Sequence, residues 1–149
     1  MLNSHFKDIL SAFNAAEVEY LIVGAYAMAA HGRPRATGDI DLWVHHDSKN
    51  SRRVWSALSE FGAPLSSVAV DDFCTPDLVF QMGLPPQRID ILTGIDGVTF
   101  SEAWPNRLEV ELDDLTVPVI GLADLMRNKA ASGRDKDQSD FKLLKKHHG

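Results

Sequence analysis

Thr37-Gly38-Asp39-Ile40-Asp41-Leu42-Trp43-Val44 reads as a short strand carrying two carboxylates. Side chains alternate faces along a strand, so Asp39, Asp41 and Trp43 share one side while Ile40, Leu42 and Val44 share the other. Like charges held side by side repel, and near a core they also lose hydration. A cation or a proton has to offset that cost. A divalent metal with oxygen ligands is the obvious compensation, and Mg²⁺ characteristically takes one or two carboxylates together with substrate phosphates. The competing reading is a pair of strand-end residues capping a turn.

Two segments on either side bear on the choice. Upstream, the apolar strand Tyr20-Leu21-Ile22-Val23 ends at Gly24 and passes directly into a helix over Ala25 to Ala30. Glycine suits such a tight strand-to-helix turn. Downstream, Arg88-Ile89-Asp90-Ile91-Leu92 is a further strand with one aspartate between apolar residues. By alternation Asp90 faces away from Ile89 and Ile91. If the two aspartate strands pair, Asp39, Asp41 and Asp90 converge, and such a group can bind two Mg²⁺ ions. Asp90 alone could instead form a structural ion pair with Arg88 or Arg35.

The remaining chain supplies a frame. Phe6, Ile9, Leu10 and Phe13 lie on one stripe of a helix over 4–16, with Ser4 as its N-cap. Asp47 or Ser48 starts a second helix, which buries Val54, Leu58 and Phe61 and stops at Gly62. Ser67–Val70 and Leu78–Met82 are strand candidates, and Leu108–Leu112 with Leu115–Ile120 forms a hairpin about Asp113-Asp114. Two helices close the chain, Leu122–Ser132 and 136–146, broken at Gly133. With no internal repeat or linker, one α+β domain over 1–149 is expected, a mixed twisted sheet flanked by helices.

The 149 residues are 44% hydrophobic and 24% charged, a globular balance that argues against disorder. No apolar run is long enough to cross a bilayer, and the N-terminal segment lacks a secretory pattern, so a soluble cytoplasmic protein without membrane contact is expected. Cys74 is the sole cysteine, which excludes an internal disulfide and a thiolate metal cluster; it reads as a core or strand residue. The net charge of −6 is uneven: residues 127–149 hold seven Lys or Arg against three Asp. A basic C-terminal segment on an acidic body suits a site that sets carboxylates opposite phosphate-binding cations, or it is simply a solvated helix face. Trp43, Trp55 and Trp104 read as core residues, and His31, His45 and His46 as loop or strand-end residues.

Together, Gly24-Ala25, Asp39-Ile40-Asp41 and Asp90 resemble the pattern of the nucleotidyltransferase superfamily with the DNA polymerase beta-like fold. The stretch from Leu21 to Val44 is similar to small bacterial members of the AbiEii-like and minimal nucleotidyltransferase groups, whose turn and helix lead through a loop like Gly32-Arg33-Pro34-Arg35-Ala36-Thr37 into the aspartate strand. The run Lys129 to Arg134 followed by Lys136-Asp137-Gln138-Ser139-Asp140 matches their C-terminal helices. The resemblance spans about residues 20–145. It implies that Asp39, Asp41 and Asp90 are catalytic metal ligands for two Mg²⁺ ions. Gly24, Ala25, Arg35 and Lys129 are then the groups that bind the triphosphate of an NTP such as ATP. Ala25 departs from the Gly or Ser more often found there, leaving backbone N–H groups at the helix start to meet phosphate. Arg35 either binds phosphate or braces the loop to Asp90, and Asp137 and Asp140 read as anchors of the last helix rather than metal ligands.

The implied activity is transfer of a nucleoside monophosphate to an acceptor hydroxyl. Resemblance to abortive-infection toxins implies an RNA or tRNA end, within a toxin–antitoxin system that includes a partner protein from an adjacent gene. An antibiotic nucleotidyltransferase acting on aminoglycosides or lincosamides is the alternative. A reading from another class is a catalytically weak antitoxin or binding partner on the same fold.

Overall fold

The computed structural model describes residues 2–32, 38–84 and 87–148. Six strands, β1 (Tyr20–Val23), β2 (Ile40–Val44), β3 (Val79–Met82), β4 (Ile89–Leu92), β5 (Leu108–Leu112) and β6 (Leu115–Val119), form one sheet in the order β3-β4-β2-β1-β6-β5. It is mixed: β2–β4 and β1–β6 are parallel, and the other three pairs are antiparallel. Among the described residues six α-helices accompany it: α1 (Ser4–Ala15), α2 (Gly24–Ala30), α3 (Ser48–Phe61), α4 (Phe100–Ala103), α5 (Leu122–Ala131) and α6 (Asp135–His148).

Register decides which face each side chain takes. Val23 lies opposite Asp41, Asp41 opposite Asp90, and Asp90 opposite Gln81, so these four share a face. Tyr20, Ile22, Leu42, Ile91 and Phe80 point to the other face, which is dry. There Phe13 of α1 meets Tyr20 edge-on at 5.2 Å, and Phe73 bridges Trp55 of α3 to Phe80. Each fully buried large apolar side chain in this layer contributes about 1.5–3 kcal/mol of transfer free energy. At the far end of the aspartate face Trp43, 1% exposed, packs edge-on against Phe100 of α4 at 5.2 Å.

Several boundaries follow from local chemistry. Asp47 caps α3 by accepting from the Asn50 N–H, and Gly62 ends it in the left-handed conformation. The cap of α1 is Asn3, not Ser4: its Oδ1 accepts from the Phe6 N–H at 2.9 Å. Asp113 takes the positive φ of the β5–β6 turn, which aspartate tolerates. Ser67–Val70 is not a strand. Asp72 accepts from the Ala69 N–H at 2.8 Å and closes a 3₁₀ turn over Val70–Cys74, a local bond that outcompetes sheet pairing. Cys74 therefore ends a turn, half-buried, rather than sitting in core or strand. Helix α4 lies in a stretch the sequence reading leaves unassigned, although Thr99 and Glu102 form a capping box there. Arg35 and the loop 33–37 lie outside the described residues. Among the described residues, no helix is long and apolar enough to cross a membrane.

Candidate functional site

Three carboxylates meet where β2 and β4 run side by side. Asp39 precedes β2, Asp41 lies within it, and Asp90 is the register partner of Asp41 across a parallel ladder. Pairing of these strands thus brings together the three residues that the alternation pattern singles out. Gly24 closes the group from the end of β1. Its φ is +69°, and a Cβ there would lie 2.2 Å from Asp41 Oδ2. Only a residue without a side chain lets the start of α2 come this close to a carboxylate.

The electrostatics match that crowding. Burial, then the charge and hydrogen bond of Asp90, then the charge of Asp39, push the Asp41 carboxyl up to about 6; Arg88 offsets only part of this. Arg88 stands directly before β4 and reaches both neighbours of Asp41. Its Nε donates to Asp90 Oδ1 at 2.8 Å and its Nη2 to Asp90 Oδ2 at 3.3 Å, while Nη2 lies 3.5 Å from Asp39 Oδ2. Its backbone N–H also donates to Asp39 Oδ1 at 3.0 Å. The ion pair anticipated for Asp90 is therefore present with Arg88. An all-oxygen donor set of this charge, concentrated enough to raise a carboxyl pKa, fits a hard divalent cation such as Mg²⁺.

These groups form one wall of a cavity of about 480 Å³. Gly24 and Ala25 line it where α2 begins, and no side chain caps that helix start. Gln81 and Leu92 continue the sheet wall, and α5, α6 and their connection form the opposite one with Lys129, Arg134, Lys136, Asp137 and Asp140.

Lys129 stands on that opposite wall, but its ammonium is engaged. It is only 7% exposed in its side chain, and Nζ lies 2.8 Å from Asp137 Oδ1 and 3.1 Å from Asp140 Oδ2. Ser132 Oγ and Arg134 Nε also donate to Asp137 Oδ2, at 2.7 and 2.9 Å. Burial pushes the Asp137 carboxyl up, yet bonds from Lys129, Ser132 and Arg134 outweigh it and hold it at about 2. Asp137 and Asp140 thus join α6 to α5 through Lys129. Asp137 and Asp140 anchor the last helix as the sequence suggests, but their partner is Lys129, which sequence reasoning assigns to phosphate; the contact of Arg88 with Asp39 as well as Asp90 is the other feature it does not place.

A second group of metal-capable atoms lies at the other end of β2, where Glu19, His45 and Asp47 offer ligand atoms within 4.8 Å of one another. His45 Nδ1 is already bonded to Glu19 Oε1 at 2.8 Å, and Asp47 caps α3. This group braces strand ends.

No protein-family model matches the chain, and no curated protein matches it by sequence. Solved structures do match. A candidate nucleotidyltransferase from Thermotoga maritima, TM1012, superposes with a TM-score of 0.62 at 15% identity, covering 99% of this chain and 97% of that one. The antibiotic-resistance factor ANT(2″)-Ia, studied in solution, gives 0.61 at 14% identity over 98% of this chain and 83% of its own. The lincosamide antibiotic adenylyltransferase LnuA, bound to lincomycin, gives 0.53 at 14% identity over 97% of each chain. With the mixed sheet, the glycine turn and the aspartate strands in place, the chain has the nucleotidyltransferase fold.

Proposed function

We propose that this protein is a Mg²⁺-dependent nucleotidyltransferase that moves a nucleoside monophosphate from an NTP, with ATP as the first donor to test, to an acceptor hydroxyl. The observation that carries this reading is the convergence of Asp39, Asp41 and Asp90 beside the Gly24 turn, in a cavity walled opposite by Lys129, Arg134 and Lys136. Asp39 and Asp41 would hold both ions and Asp90 would complete one site. When bound, the metal neutralises the triphosphate, lowers the pKa of the acceptor hydroxyl and stabilises the departing pyrophosphate. The acceptor oxygen attacks the α-phosphorus in line, the bond from that phosphorus to the bridging oxygen breaks, and pyrophosphate leaves. Asp90 would also help activate the acceptor hydroxyl. Backbone N–H groups of Gly24 and Ala25 at the start of α2 would meet phosphate oxygens. Lys129 faces the same space with two carboxylates on it. A phosphate arriving there either replaces one of them or is met by Arg134 and Lys136.

The first acceptor class is an RNA or tRNA end, supported by exposed Lys142, Lys145 and Lys146 along α6, which could guide a polyanion. A small hydroxylated molecule is the second, favoured because ANT(2″)-Ia was solved with adenylyl-2″-tobramycin and LnuA with lincomycin. Incubation with α-labelled NTPs and either tRNA or a panel of aminoglycosides and lincosamides separates them: label is expected on one acceptor class and to vanish with EDTA. Asp41→Ala protein that still turned over NTP at the full rate would overturn the assignment. Partnership with the product of a neighbouring gene, in a cytoplasmic toxin–antitoxin pair, is the reading to pursue if no acceptor is labelled and no Mg²⁺–NTP binds.

Gly24→Ala gives a sharper test of geometry. The new methyl would meet the Asp41 carboxylate at 2.2 Å, and the backbone would hold a positive φ that costs about 1–2 kcal/mol for a residue with a side chain. Transfer is expected to fall roughly 100-fold or more, as expected when a reacting geometry is displaced by about an ångström. The fold should survive with a modestly lowered urea midpoint. Unchanged kcat/KM would mean that Asp41 is not where the chemistry occurs.

A further inference from the structure

We propose that Arg88 is a built-in counter-cation that occupies the three-aspartate site in competition with divalent metal, and so sets the metal concentration at which the site fills. This rests on reading Asp39, Asp41 and Asp90 as the metal ligands. One guanidinium engages two of the three carboxylates. Its Nε and Nη2 take both oxygens of Asp90, at 2.8 and 3.3 Å, and Nη2 lies 3.5 Å from Asp39 Oδ2. Both oxygens of Asp90 thus already carry a charge-assisted bond. Each of these oxygens keeps a further lone pair, so a cation shared with Asp41 has to contend with the positive charge of the guanidinium beside it.

The geometry also allows the fork to open. The Arg88 side chain is 30% exposed and lines the cavity, whereas the Asp90 side chain beneath it is 10% exposed. Apart from Asp39 and Asp90, no described residue forms an ion pair with Arg88. The backbone stays fixed by other bonds: the Arg88 N–H donates to Asp39 Oδ1 and its carbonyl accepts from the Ile40 N–H at 3.0 Å. The guanidinium can therefore leave while the β2–β4 register holds. Departure into the cavity would place it on the side where an anionic substrate enters. Arg88 is in this view a positioning residue, acting on metal through the carboxylates.

Removing a positive charge from this group strengthens its attraction for another cation. The purely structural reading makes the opposite prediction, because a brace that orients Asp90 would weaken metal binding when lost. The test is calorimetric titration of Mn²⁺ into nucleotide-free protein at constant ionic strength, comparing wild type with Arg88→Gln. We expect binding at least about tenfold tighter in Arg88→Gln, because a competing charge is gone. Its melting temperature in EDTA should be lower than wild type and should rise more steeply with Mn²⁺. Equal or weaker binding in a folded Arg88→Gln overturns the proposal. Should Arg88→Gln not fold, the wild-type protein decides: the Arg88 Nε–Hε resonance, shielded from exchange in EDTA, should lose that protection with saturating Mg²⁺, and its persistence would overturn the proposal. Failure of the underlying metal reading looks different, since wild type and Asp41→Asn would then bind Mn²⁺ equally.

Discussion

Asp41→Asn is expected to abolish nucleotidyl transfer and yet to give, in metal-free buffer at neutral pH, a more stable protein. Asp41 is held between Asp39 and Asp90 with its carboxyl raised from 3.8 to about 6, chiefly by burial and then by Asp90. The folded protein therefore binds this proton more tightly than the unfolded chain does. The sign follows: stability from this proton is fully present below pH 3.8 and is lost as pH rises through about 6. Across that window the wild type loses up to roughly 3 kcal/mol from this group alone. Asparagine keeps the shape without the charge, so variant and wild type should unfold at similar urea concentrations near pH 4 and diverge by pH 8. Saturating Mg²⁺ should reverse the order by stabilising the wild type only. The catalytic loss should be on the order of 10³-fold or more, the rate equivalent of several kcal/mol of metal-derived stabilisation. Equal urea midpoints at pH 8 in EDTA would show that the three charges do not burden the fold as their geometry requires.

Lys129→Met should be the most damaging single change to stability. Its ammonium is buried between Asp137 and Asp140, whose side chains are 4% and 2% exposed. Removing one member of a buried ionic group strands the others, at a cost of about 3–5 kcal/mol. Ser132 and Arg134 still serve Asp137 after the change. Because these contacts tie α6 to α5, amide exchange should quicken first along Asp135–His148. Adding Asp140→Leu to Lys129→Met should restore much of the stability, as replacing a whole buried ionic group with apolar side chains often does. A cost under about 1 kcal/mol for Lys129→Met would place the ammonium in solvent, where a phosphate role is simpler to defend.

The reach of the sequence can be traced residue by residue. Asp39, Asp41 and Asp90 were legible because strand alternation is local and a carboxylate inside an apolar strand violates it. Gly24 was legible because a strand running straight into a helix demands a special turn. The pairing of Arg88 with Asp90, two residues apart, was legible as one of two options, but the reach of Arg88 to Asp39 was not, since it depends on the parallel register that sets β2 beside β4, a relation between residues 49 apart along the chain. Lys129 reads from the sequence as a triphosphate-binding group, because nothing local announces that Asp137 and Asp140 will close over it. The Ser67–Val70 stretch misled for the opposite reason: Val68 and Val70 alternate as a strand would, but Asp72 captures the backbone first. Propensity describes what a segment prefers alone, and here a side-chain bond three residues away decided the matter.

The arrival order of the chain gives the Arg88–Asp90 fork another meaning. A nascent polypeptide that has reached only β2 holds two of the carboxylates, still hydrated and without a third beside them. The third acid comes with β4, and its guanidinium is carried on the same short segment, two residues ahead. Acid and base are therefore delivered to the sheet in a single docking event, so a folding chain that docks β4 beside β2 meets the full charge of the site with its neutralising partner already attached.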